Sequence, residues 1–123
     1  MQIKLKVNTY NFWYSDYLLK DFINLGYTED DLKAIAEDLT AYLANTPPKI
    51  KGDVIPKTSG AVKLRLAPKS STKGARDEDR LIYYCHDKSD FYFIYVYAKS
   101  EKIDLNSAEI KALVKFIKQV KNS

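Results

Sequence analysis

The sequence predicts an α+β domain. Two observations carry this: helical periodicity is bunched near the start and strand periodicity after it, the pattern of helices packed on an antiparallel-rich sheet. The predicted order is strand, two helices, three strands, helix. With 123 residues the chain suits a single domain over 1–123, which would bury roughly two-thirds of the surface that its unfolded form exposes.

Ile3, Leu5 and Val7 alternate with Lys4, Lys6 and Asn8, the period-two signature of a half-buried strand. A mixed aromatic stretch then runs to Gly26. Within it Leu18, Leu19, Phe22 and Ile23 share one helical stripe, and Gly26 stands where a helix stops. Thr28 suits an N-cap, and Glu29, Asp30 and Asp31 set negative charge against the positive end of the helix dipole. Leu32, Ile35, Ala36, Leu39, Tyr42 and Leu43 recur at three-and-four spacing until two prolines, Pro47 and Pro48, end the helix. Residues 49–60 read as loop. Over 61–66, Val62, Leu64 and Leu66 take one sheet face and Lys63 and Arg65 the other. After a polar connection over 68–79, the Tyr-, Ile- and Val-rich runs 80–85 and 91–97 read as central strands joined by a loop over 86–90. Asn106 stands three residues before Glu109, as in a capping box, and Ile110, Leu113, Val114, Ile117 and Val120 give the last helix its apolar stripe.

Composition narrows the function classes. With 46% hydrophobic and 29% charged residues the chain matches ordinary globular domains. A single cysteine, Cys85, forms no internal disulfide, and with one histidine, His86, there is no ligand set for a structural zinc; neither metal nor cofactor is expected. No run of 18 apolar residues occurs, and the start alternates charged with apolar residues instead of forming a signal peptide, so a cytoplasmic location and no membrane partner are expected. The net charge is +4, unevenly spread. Residues 1–48 hold four Lys/Arg against seven Asp/Glu, whereas 49–76 hold eight against Asp53 alone. Such a segment attracts polyanions. Lys69, Lys73 and Arg76 are its candidates for holding RNA, with a lysine-rich loop kept for solubility as the plain alternative.

Four pieces of sequence point to one family. Gly52-Asp53-Val54-Ile55-Pro56, with Ser59-Gly60-Ala61-Val62-Lys63-Leu64-Arg65 behind it, is similar to a linker and second strand; Arg80-Leu81-Ile82-Tyr83-Tyr84 to a third strand. Tyr95-Val96-Tyr97-Ala98-Lys99 and Asp104-Leu105, with Glu109 in the final helix, are similar to a closing block. In this order and near this spacing they resemble the RelE/ParE superfamily of type II toxin–antitoxin toxins, in its HigB-like subgroup. The resemblance implies a RelE-like twisted, antiparallel-rich sheet with two N-terminal helices after the first strand and a C-terminal helix. It also implies a ribosome-dependent messenger-RNA endoribonuclease that inhibits translation. A cognate helix-turn-helix antitoxin of the HigA type would neutralise it, and operator DNA would be met only through that antitoxin. The chain departs from the family at Asp77-Glu78-Asp79, which replaces a glycine-rich stretch before Arg80, and at Ser100, where the RelE subgroup has an arginine.

Cutting RNA without metal requires a base for the ribose 2′-OH, stabilisation of charge on the scissile phosphate, and a proton for the departing 5′-oxygen. One histidine cannot fill two roles, and His86 falls in a predicted surface turn. Lysine can serve as base where neighbouring cations favour its neutral form, and arginine clamps phosphate oxygens. The expectation is that Lys63, Arg65, Arg80 and Lys99 converge on one sheet face, with Lys63 or Lys99 as base and the arginines as clamp. Tyr97 shares parity with Lys99 and is the tyrosine best placed to stack a base; packing in the sheet is the plainer role. Cys85 reads as a small buried hydrophobe. Lys111, Lys115, Lys118 and Lys121 read as a solubilising side of the last helix, with ribosomal RNA contact as the functional alternative. Two other functions share the same features: a ParE-like toxin that inhibits DNA gyrase, and a non-catalytic RNA-binding module.

Overall fold

A computed structural model describes residues 1–66 and 79–123. The elements are β1 (Gln2–Val7), β2 (Tyr10–Tyr14), α1 (Asp16–Asn24), α2 (Glu29–Leu43), β3 (Asp53–Val54), β4 (Val62–Arg65), β5 (Asp79–His86), β6 (Asp90–Ala98) and α3 (Ser107–Lys121). The α+β class is as expected, with three helices and one mixed sheet of strand order β1-β2-β6-β5-β4-β3. All neighbours are antiparallel except β2 and β6, which run parallel.

Two strands differ from the sequence expectation. The helices follow two strands, not one, because the aromatic stretch opens with β2. Its alternation sends Phe12 and Tyr14 into the core and leaves Asn11 and Trp13 half-buried. Trp13 is apolar too, so the period-two pattern is blurred in sequence although aromatic residues favour strands. The turn from β1 needs only Asn8 and Thr9, with Asn8 in the left-handed region at φ 55°, which asparagine tolerates. The stretch read as loop over 49–60 contains β3, two residues paired to β4 and too short to show any period.

The other ends fall where capping chemistry puts them. Thr28 accepts from the Asp31 amide while Asp31 accepts from the Thr28 amide, a reciprocal box that starts α2. Asn106 and Glu109 do the same for α3. Helix α1 ends in a Schellman motif: the Tyr27 amide donates to Phe22 O at 3.4 Å and the Gly26 amide to Ile23 O at 2.9 Å, with Gly26 at φ 100°.

The sheet separates two cores. On one face α1 and α2 cover Phe12, Tyr14, Leu64, Leu81, Tyr83, Phe91 and Phe93. On the other, Leu113 and Ile117 of α3 pack on Ala61, Ile82, Tyr84 and Tyr97. Since α3 begins after the turns that follow β6, the sheet beside its N-terminal end is left for other residues to line. No helix among the described residues is long and apolar enough to cross a membrane.

Candidate functional site

Strand register builds the site. Arg65 on β4 lies directly opposite Arg80 on β5, and Arg80 lies directly opposite Tyr97 on β6. Residues paired in this way project from the same face. Lys63 is opposite Ile82 of the α3-side core and so shares that face, and Lys99 follows Tyr97 by two residues. Lys63, Arg65, Arg80 and Lys99 all line one cleft of about 240 Å³, together with Asp53, Ile103 and Asp104. The four cations chosen from sequence are therefore brought together, by two strands and the turn after a third. Two arginines placed directly opposite each other set like charges side by side, which is unfavourable for a sheet by itself.

The cations are not equivalent. Arg80 is only 6% exposed and its Nη1 donates to Asp79 O at 3.1 Å, which fixes the guanidinium against the backbone. Arg65 and Lys99 are exposed, and Lys63 is half-buried with its ammonium 3.7 Å from the Asp104 carboxylate. Asp53 is directly opposite Lys63 in the β3–β4 pair, so two carboxylates flank this lysine. Lys99 makes no ion pair with a described residue.

Asp79 is the one described residue of the acidic triplet 77–79. It precedes Arg80 in sequence, yet strand alternation turns its side chain to the opposite face, where Tyr27 donates to Oδ2 at 2.5 Å. Asp79 is 2% exposed and places no carboxylate in the cleft. Asp77 and Glu78 lie outside the described residues, as do Lys69, Lys73 and Arg76, the RNA-holding candidates of the connecting segment.

Tyr97 has the expected face but not the expected exposure. It is buried in the α3-side core with the Lys102 ammonium 5.7 Å from its ring centroid, so its ring offers no open surface for base stacking. Its hydroxyl is buried without a hydrogen-bond partner among the described residues. Burial, with Asp104 and Glu109 adding and Arg80 opposing, pushes this phenol above its ordinary pKa.

His86 ends β5 and is half-buried, not loop-borne and solvent-facing. Its Nδ1 is 3.1 Å from Tyr84 Oη and its Nε2 is 3.2 Å from Asp87. It stands six residue steps along β5 from Arg80, roughly 20 Å at about 3.3 Å per residue, which keeps it away from the cleft. Cys85 packs against the core on the α1/α2 side, and burial pushes its thiol up to about 11, the behaviour of an inert thiol. On α3, Lys111, Lys115, Lys118 and Lys121 are exposed, and Lys121 reaches back to Ser59 O at 2.7 Å.

Sequence reasoning missed Asp53 and Ile103 as lining residues, and noticed Asp104 only as part of a motif. The signal for Asp53 was faint, since it belongs to a strand of two residues; Ile103, 78% exposed, carries none beyond its proximity to Lys99. A scan of protein-family models finds none that matches the chain.

Proposed function

We propose that the chain is a type II toxin of the RelE/HigB kind, a metal-independent endoribonuclease that cuts messenger RNA on the ribosome and is held in check by a cognate helix-turn-helix antitoxin. The observation that carries this reading is the meeting of Lys63, Arg65, Arg80 and Lys99 in one cleft. The cleft is polar and cationic, and Ile103 at its edge offers the apolar contact that a base needs.

In the proposed reaction Lys99, which has no carboxylate partner among the described residues, takes the proton of the 2′-OH. The 2′-oxygen attacks the neighbouring phosphorus while Arg65 and Arg80 hold the non-bridging oxygens. The bond to the 5′-oxygen breaks, and that oxygen takes up a proton from the Lys63 ammonium. The products are a 2′,3′-cyclic phosphate and a 5′-hydroxyl. An antitoxin that covers this face, or inserts a carboxylate into it, stops the reaction.

Expression in a bacterial host tests the reading. Wild-type protein is expected to arrest growth by halting translation first, and Arg65→Ala and Arg80→Ala are each expected to relieve the arrest while the variants stay folded and antitoxin-bound. DNA-damage signalling as the first response would favour a gyrase inhibitor instead, and undiminished toxicity of the Arg65→Ala/Arg80→Ala double variant would remove the cleft from the explanation.

A further inference from the structure

From the Schellman turn after α1 we infer that Tyr27 is a positioning residue for Arg80, acting through Asp79 from the far side of the sheet. The inference rests on the endoribonuclease reading of the cleft. Gly26 at φ 100° lets the chain reverse so that Tyr27 stacks on Phe22, ring centroids 4.7 Å apart and planes 16° from parallel. The ring is 5% exposed, and its hydroxyl aims at the sheet, where it donates to Asp79 Oδ2 at 2.5 Å.

Three ties hold Asp79 among the described residues. Its carboxylate holds Tyr27; its carbonyl accepts from the Leu66 amide at 3.1 Å, extending the β4–β5 pairing by one rung; and the same carbonyl accepts from Arg80 Nη1 at 3.1 Å. The guanidinium of the most buried cation in the cleft thus rests on a peptide whose own side chain is anchored in the opposite core. If that anchor is released, the peptide at the start of β5 can rotate and the guanidinium moves with it. Displacements on the order of 1 Å at a reacting centre are enough to cost about a hundredfold in rate. Tyr27 is not among the residues that line the cleft, and the route inferred from it to Arg80 is the Asp79 peptide.

A double-mutant cycle separates this role from plain stability. Tyr27→Phe keeps the ring on Phe22 and removes only the hydroxyl; Asp79→Ser shortens the acceptor while leaving the carbonyl. Both are assayed below their melting onset on a stalled ribosome–message complex, and the conclusion stands on whichever variant remains folded. The expected result is a fall of roughly tenfold or more in kcat, with KM within about twofold, in the protein that retains Arg80. In the Arg80→Ala background the same substitution should change the rate by less than about twofold. An equal loss in both backgrounds, or full activity of Tyr27→Phe beside an impaired Arg80→Ala, overturns the inference and leaves the cleft intact as the site. Wild-type rates from Arg80→Ala itself would overturn the cleft reading first and this inference with it.

Discussion

Asp90 shows how single residues hold the end of the sheet away from the cleft. Its Oδ1 accepts from Trp13 Nε1 at 2.9 Å and Asn11 Nδ2 at 3.1 Å, and its Oδ2 from Ser89 at 2.9 Å, so a strand-end carboxylate fastens β2 to the β5–β6 hairpin. Burial opposes ionisation, but the three donors and His86 outweigh it and lower the carboxyl pKa below its ordinary 3.8. A carboxylate with a depressed folded-state pKa contributes stability above its unfolded value and loses it as pH falls through the folded value. Asp90→Asn should therefore cost about 1 kcal/mol near neutral pH, with the gap closing as the pH drops below the ordinary carboxylate range. Urea titrations across pH check this; a gap unchanged in acid would show that charge is not what Asp90 supplies. Residue identities in the cleft were legible in sequence for a related reason. Lys63 and Arg65 alternate with buried Val62 and Leu64, and a charge at such a position has only the open face to occupy. Tyr97 was harder to read, because a tyrosine is equally at home packed or exposed.

At the scale of elements, the long helices and central strands were legible because their apolar spacing runs for many residues and their caps are chemically distinct. The short strands were not, and β3 matters most because it brings Asp53 beside Lys63. Its placement depends on Gly52, which sits at φ 111°, and a Cβ there would lie 2.8 Å from Lys63 O and 2.9 Å from Val62 Cγ1. Gly52→Ala should force β3 off β4 and destabilise the protein by about 1–3 kcal/mol. Denaturant unfolding measures the cost, and a loss below about 0.5 kcal/mol would mean that the edge strand is not held against β4 as described. Parallel pairing between β2 and β6 was illegible for another reason: three consecutive pairs from Asn11↔Asp90 to Trp13↔Tyr92 join segments far apart in sequence, and no local pattern records such a partnership.

Across the whole molecule, a mixed sheet with α1 and α2 on one face and α3 on the other leaves a cationic cleft near the start of α3. The four lining cations come from sequence positions 36 residues apart at the extremes, Lys63 to Lys99, so their convergence is a property of the fold and not of any one segment. Positive charge gathered in this way raises the local concentration of a polyanion. The most direct test maps RNA ends after purified protein meets translating ribosomes, with chelator present throughout. New 5′-hydroxyl ends paired with 2′,3′-cyclic phosphates, produced by the wild type and lost in the Arg65→Ala/Arg80→Ala variant, are the predicted result. Intact messages with the wild type, or the same ends at the same rate from the double variant, would contradict it.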